Sequence, residues 1–380
     1  MKIITIIGAR PQIIKSAAIS RAVRNHFSSE LQEIIVHTGQ HYDQNMSAVF
    51  FDELNIPRPD YNLDVGSGNH GAQTAKMLSG IEDIIFKENP DLIIVYGDTN
   101  STVAGGLAAS KLYIPIVHIE AGLRSFNKRM PEEINRILCD HVSTLLFSPT
   151  KKGLENLARE GFDKDAKAPH NLDNPKIYHC GDIMYDNSIY FSEISDEKST
   201  LLKDLGVDYP FILSTVHRND NTDDPKRLTA IFESLIEIGT THQLPIILPL
   251  HPRTKKMMEI HLSDELKKEI ETSNYIKIIP PVSFLDVIAL EKHADFVITD
   301  SGGVQKEAFF FKKPCIILRP ETEWIEIVEN GNAICCDADK DRINSAFNQL
   351  YNNKTLTYPP LFGDGHAAEF ICAEIIKQLS

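Results

Sequence analysis

The chain has 380 residues, 42% apolar and 24% charged, with 39 Lys and Arg against 53 Asp and Glu for a net charge of −14. That length exceeds one average core and suits two domains, in a composition typical of soluble globular proteins. The acidic balance argues against nucleic acid and anionic membrane as partners, so an anionic ligand must be held by local cations against the overall field.

Apolar runs of strand type recur from the first residues. KIITIIG (2–8), EIIVHTG (33–39), LIIVYGD (92–98), IPIVHIEA (114–121) and TLLFSP (144–149) make a first series, separated by amphipathic stretches such as 71–88 and 132–143. A polar, loop-rich segment at 163–176 (DKDAKAPHNLDNPK) reads as the domain boundary. FILSTVHR (211–218), PIILPLH (245–251), YIKIIPP (275–281), FVITDSG (296–302) and PCIILR (314–319) make a second series, with helical patterns at 226–239, 283–293 and 303–312 and a last one at 366–379. Continuous apolar strands between helices predict parallel sheets covered on both faces. The fold class is therefore α/β, with two Rossmann-like doubly wound domains in series.

The opening MKIITIIGARP reads as a strand entering a turn, without the apolar core and cleavage site of a signal peptide, and no apolar run approaches transmembrane length; a cytoplasmic location is expected. The six cysteines are scattered, with no C-x-x-C pair, and read as free thiols. No H-E-x-x-H or comparable spacing suggests a metal, and no full G-x-G-x-x-G or Walker sequence supports hydride transfer or P-loop chemistry. No cofactor is expected.

Ligands of open α/β sheets lie beyond the carboxyl ends of the strands, so polar residues just after each apolar run are the candidates. IIGARPQIIK (6–15) passes from strand through a turn into a helix and brings Arg10 and Lys15 to a helix N-terminus, where backbone N–H groups and the dipole favour a phosphate. VITDSGGVQKEA (297–308) repeats that design with Ser301, Gly302 and Gly303, small enough for phosphate to approach the backbone. Glu307, one turn later, suits a ribose diol. Asp98, Glu120 and Glu132 form an acidic set; carboxylates facing one site raise one another's pKa and supply an acid and a base. Taken alone, Asp98 reads equally well as a helix cap, and Glu132 with Glu133 as complement to a helix dipole. His217 and Arg218 end the first strand of the second series and suit a departing diphosphate, with His251 and Arg253 placed similarly. His37, His41 and His70 read as structural or peripheral.

In this order, GARPQIIK (8–15), YGDTNST (96–102), HIEAGLRS (118–125), MPEEINR (130–136), VHR (216–218), DSGGVQKEA (300–308) and GDGHAA (363–368) resemble the non-hydrolysing UDP-N-acetylglucosamine 2-epimerase family over essentially the whole chain. The resemblance implies the GT-B architecture with a cleft between the domains. The last helix would return to the first domain, giving 1–170 plus 364–380 for the sugar and catalytic carboxylates and 171–363 for UDP. By matching position it implies that Arg10, Ser301, Gly302, Gly303 and Glu307 bind UDP. Lys15, Asp98, Glu120, Glu132, Arg136 and His217 would surround the sugar and diphosphate, and the assembly would be a homodimer. Three departures from the commonest pattern stand out: Ala9 and Gln12 in the first motif, Trp324 for an arginine in ETEWIE (321–326), and VSFLDV (282–287). The first two resemble a branch acting on modified sugars such as UDP-diacetamido-glucuronic acid.

The activity implied is epimerisation at C2 of a UDP-N-acetylhexosamine, whose C2–H is barely acidic. The family's route is elimination of UDP to a 2-acetamidoglucal, reprotonation of the opposite face and return of UDP. Glu120 and Glu132 would transfer the proton and Asp98 position or share it, while His217 and Arg10 serve the leaving group. The alternatives are a GT-B glycosyltransferase using a UDP-sugar, a hydrolysing epimerase, and a UDP-sugar sensor without activity.

Overall fold

A computed structural model of the protein describes residues 1–40, 51 and 56–379; His41 lies outside them. The chain divides into two compact units, one formed by Met1–Ile189 with Pro360–Ser380, the other by Tyr190–Pro359.

The first unit is built on a seven-stranded parallel sheet of order β3-β2-β1-β4-β5-β6-β7. Its strands are β1 (Lys2–Ile7), β2 (Gln32–His37), β3 (Tyr61–Asn62), β4 (Leu92–Tyr96), β5 (Ile116–Ile119), β6 (Leu145–Ser148) and β7 (Lys176–His179). Ile3, Ile4, Ile6 and Ile7 of β1 and all of Leu92–Tyr96 are fully buried, as expected of strands covered on both faces. Each such aliphatic side chain stabilises the fold by about 1.5–3 kcal/mol relative to exposure. The second unit carries a six-stranded parallel sheet of order β10-β9-β8-β11-β12-β13. These strands are β8 (Ile212–Thr215), β9 (Ile246–Pro249), β10 (Ile276–Ile279), β11 (Phe296–Thr299), β12 (Cys315–Ile317) and β13 (Ala333–Cys335).

All ten strands expected from the apolar runs are present within a few residues. β3, β7 and β13 escape the sequence because they are short and, in β3 and β7, polar; their pairing with a neighbour defines them. β7 also displaces the boundary. It extends the first sheet beyond β6, and Asn187 donates to the Ile14 carbonyl at 2.7 Å and accepts from Arg21 at 3.2 Å, so the first unit runs on past the loop at 163–176 to Ile189. The last helix, Ala367–Leu379, packs on the first, Arg10–His26, and its start is held by Asp186, which accepts from the Ala367 and Ala368 N–H groups at 3.2 and 2.7 Å.

Strand order fixes where a ligand crevice opens. In each sheet the direction of winding reverses once, between β1 and β4 in the first and between β8 and β11 in the second. The register sets Tyr96 beside Ile119 and Thr299 beside Thr215, so the turns after β4 and β5 are neighbours, as are those after β8 and β11.

All six cysteines are free thiols. Among the described residues no helix is long and apolar enough to cross a membrane.

Gly122 marks the closest approach of a glycine to another segment's backbone in the first unit. Its φ is +80°, and a Cβ there would lie 2.4 Å from the Gly153 carbonyl oxygen. Gly122→Ala is expected to destabilise by at least about 1–3 kcal/mol, whereas Gly161→Ala, at φ +98° with nothing within 4 Å, carries only the backbone strain. Thermal unfolding of the two variants side by side checks the order.

Candidate active site

The first unit's site begins where β1 turns through Gly8 and Ala9 into the helix Arg10–His26. Gln12 fixes that turn. Its Oε1 accepts from the Gly8 and Ala9 N–H groups at 2.9 and 3.1 Å, and its Nε2 donates to the Tyr96 carbonyl and Thr102 Oγ1, both at 3.0 Å. One side chain thus ties the turns after β1 and β4 together across the reversal of the sheet. In the sequence Gln12 stands out only as a departure from the commoner motif.

Arg10 is exposed at the start of the helix, and Lys15 is half-buried farther along it. Lys15 forms an ion pair with Glu120, and Arg136 forms one with Asp98 and a second with Glu133 at 2.9 Å. Gly97, at φ +61°, has its missing Cβ 3.1 Å from Glu120 Oε2 and 3.3 Å from Lys15 Nζ, so a larger residue would crowd that pair. Glu120, at φ +73° and 7% exposed, holds a left-handed conformation that costs a non-glycine residue about 1–3 kcal/mol.

The carboxyl of Asp98 lies above the usual range. Burial is the leading cause; Arg136 and Lys15 pull it down, and Glu120 and Glu132 push it up. Glu120 and Glu132 therefore both lie within electrostatic reach of Asp98. The structural roles pass to their neighbours. Thr99, not Asp98, caps the helix Asn100–Lys111, accepting from the Thr102 N–H at 3.3 Å. Glu133, 1% exposed, accepts from the Ser125 and Phe126 N–H groups at 2.9 and 3.0 Å, leaving Glu132 exposed in the same helical turn. A cavity of about 620 Å³ near Arg124, Phe126 and Glu133 is not lined by Asp98, Glu120 or Glu132.

In the second unit the hub is Asp300, one of the polar strand-end residues, to which the sequence assigns no role of its own. Fully buried at the end of β11, it accepts from the His217 N–H at 3.0 Å, the Arg218 N–H at 3.0 Å and Asn221 Nδ2 at 3.1 Å, with His217 Nδ1 at 3.3 Å. The turn after β8 is thereby anchored to the turn after β11. His217 is held below the usual imidazole range chiefly by burial, with Arg218 and His251 acting in the same direction and Asp300 opposing. Its ring lies 6.1 Å from that of His251.

Ser301 caps the helix Gly302–Phe310, and its own N–H donates to Thr299 Oγ1 at 2.9 Å. A Cβ on Gly302 would lie 2.6 Å from Glu323 Oε1 and 3.7 Å from the Arg218 guanidinium; one on Gly303 would lie 3.6 Å from Glu307 Oε2. Arg218, the Ser301-Gly302-Gly303 turn and Glu307 are therefore grouped. His251 is instead the cap of the helix Pro252–His261, and Arg253 is committed to Asp223 at 2.5 Å. Glu291 was not foreseen: fully buried, its carboxyl is pushed well above the usual range by burial and by Glu307. Trp324, at the position where the commoner pattern has arginine, is buried, with the Lys306 ammonium 3.9 Å from its ring centroid.

His37 and His70 serve structure. His37 Nδ1 accepts from the Gly39 N–H at 3.0 Å, and His70 Nδ1 lies 3.1 Å from Asn100 Nδ2. Among the described residues no group of three or more His, Cys, Asp or Glu side chains is placed to hold a metal ion.

Comparison with known proteins bears on the family and the fold. Residues 23–376 match the family profile described as UDP-N-acetylglucosamine 2-epimerase. The chain is 48% identical to a UDP-2,3-diacetamido-2,3-dideoxy-D-glucuronate 2-epimerase of Pseudomonas aeruginosa, over 99% of this chain and 100% of that protein. It is 43% identical to a UDP-N-acetylglucosamine 2-epimerase of Methanocaldococcus jannaschii, over 98% of each. A crystal structure of the Methanocaldococcus jannaschii UDP-GlcNAc 2-epimerase in complex with UDP-GlcNAc and UDP superposes with a TM-score of 0.83 at 42% identity, covering 99% of this chain and 100% of that one. With two parallel sheets and these neighbours, the fold is of the GT-B type, and the chain belongs to the UDP-N-acetylglucosamine 2-epimerase family.

Proposed function

We propose that this protein is a non-hydrolysing 2-epimerase that interconverts UDP-GlcNAc-type and UDP-ManNAc-type sugars by eliminating UDP and adding it back. The observation that carries the proposal is the set at the first sheet's reversal: Glu120 and Glu132 both within electrostatic reach of Asp98, with Lys15 paired to Glu120 and Arg136 to Asp98.

The C2 proton has no adjacent carbonyl to acidify it. Its removal must be coupled to departure of UDP from C1, so one carboxylate takes the proton from one face as the C1–O bond breaks. A second group then returns a proton to C2 of the glycal on the other face while UDP re-adds at C1, and the charge balance is restored. Glu120 and Glu132 are the proton-transfer pair in this reading, with Asp98 positioning or sharing the proton. A raised Asp98 pKa supports that part, because a carboxyl poised nearer neutrality exchanges protons more readily. In the second unit Ser301, Gly302, Gly303 and Arg218 are assigned to the diphosphate, with Glu307 on the ribose and His217 beside the leaving group; the capped helix start and the grouped side chains support this. Arg10 is assigned to UDP, and His251 to the edge of that site. The working enzyme is read as a cytoplasmic homodimer.

A second reading keeps the chemistry and changes the sugar. The 48% identity to the diacetamido-glucuronate epimerase, with Gln12 in the first motif and Trp324 in place of arginine, favours a 3-acetamido uronic acid substrate.

Each UDP-sugar offered alone in deuterated water distinguishes these readings. NMR is expected to show inversion at C2 with solvent deuterium incorporated there, for UDP-GlcNAc or for its 3-acetamido uronic acid analogue. A glycosyltransferase would give no turnover without an acceptor, and a hydrolysing enzyme would release free sugar. Glu120→Gln is expected to lower kcat by at least about 100-fold; an unchanged rate removes Glu120 from proton transfer. Arg136→Met withdraws a cation that lowers the Asp98 pKa, so the acidic limb of the kcat–pH profile should move to higher pH. A limb that stays in place disconnects Asp98 from the rate.

A further inference from the structure

We propose that His118 is a positioning residue for this reaction, a buried imidazolium that, with Asp140 and Arg124, holds the turns carrying Asp98 and Glu120 in catalytic register. The inference rests on the reading of Asp98 and Glu120 as acid–base groups.

His118 lies on β5, two residues before Glu120, and is fully buried. Its Nδ1 is 2.7 Å from Asp140 Oδ1, and its Nε2 is 2.8 Å from the Gly97 carbonyl oxygen. A carboxylate oxygen and an amide carbonyl can only accept at those distances. Both ring nitrogens must therefore donate, which only the protonated ring can do. Burial opposes that charge, while Cys139 and Asp140 raise the His118 pKa well above the usual range.

Asp140 completes the device. Its Oδ2 accepts from the Gly122 N–H at 3.1 Å and faces Arg124 at 2.7 Å. Arg124 in turn donates to both oxygens of Glu160 at 2.7 Å. Cations and anions thus alternate along Glu160, Arg124, Asp140 and His118, which makes so much buried charge tolerable.

What distinguishes this chain of charges from ordinary fold support is where it ends. The Gly97 carbonyl belongs to the peptide that leads into Asp98. The Gly122 N–H lies two residues beyond Glu120, which holds a left-handed φ of +73°. The helix Pro131–His141 that carries Asp140 also carries Glu132 and Arg136. One buried network therefore fixes the backbone next to Asp98 and two residues from Glu120, and is anchored on the helix that carries Glu132. A displacement of about 1 Å at such groups is enough to lower a rate about 100-fold.

The test compares wild type, His118→Gln and His118→Ala for kcat, KM and UDP affinity, with the alanine variant also assayed in added imidazole. Side-chain ¹⁵N NMR of the wild type reads the protonation of His118 directly. The expected result is a fall in kcat of about 10–100-fold with UDP affinity unchanged, partial recovery of kcat when imidazole occupies the alanine cavity, and two protonated ring nitrogens at neutral pH. A folded variant with wild-type kcat, or a neutral His118 ring at neutral pH, overturns the inference. Should neither His118 variant fold, Asp140→Asn and the wild-type NMR measurement decide it. Wild-type turnover beside an undiminished variant sinks this inference alone, whereas absence of C2 exchange in wild type removes the epimerase reading and this one with it.

Discussion

A parallel sheet delivers the carboxyl ends of all its strands to one edge, and everything functional in this protein follows from that constraint. With the order β3-β2-β1-β4-β5-β6-β7, the connections diverge between β1 and β4, and the turns that follow those strands are left facing a crevice. The second sheet repeats the arrangement between β8 and β11. Residues far apart in the chain, Lys15 and Glu120 or Asp98 and Arg136, meet because register and strand order put their turns side by side.

Charges so placed must be reconciled with one another. Three carboxylates in a chain of net charge −14 would repel any phosphate unless cations were interleaved. Lys15 and Arg136 supply that interleaving, yet burial still leaves the Asp98 carboxyl above its usual range. In the proposed reaction, that balance is what would let the group exchange a proton. Neighbouring residues take over the structural duties: Thr99 caps the helix after Asp98, Glu133 binds the loop before Glu132, and Asp300 locks the His217 turn. Under the proposed function, Asp98, Glu132 and the His217 ring, relieved of those duties, are the groups left for chemistry.

The strands, the principal helices and most of the polar strand-end residues were legible in the amino-acid order. Continuous Ile, Leu and Val runs specify buried parallel strands, and Ser301-Gly302-Gly303 before an apolar helix specifies a capped N-terminus. β3, β7 and β13 were not legible, because two to four residues carry too little pattern of their own and exist as strands only through pairing. The end of the first unit at Ile189 was hidden for the same reason: a polar loop marks a boundary only if no later strand rejoins the sheet behind it.

Local sequence also determined the kinds of side chain available at each strand end, since hydropathy and turn chemistry act over a few residues. Tertiary structure alone decided their partners. That Gln12 ties two turns, that Glu133 rather than Glu132 is buried, that Asp300 gathers the His217 turn, and that His118 lies between a carboxylate and a carbonyl all depend on contacts between segments distant in the chain. Such contacts are set by strand order and register, which no short stretch of residues encodes.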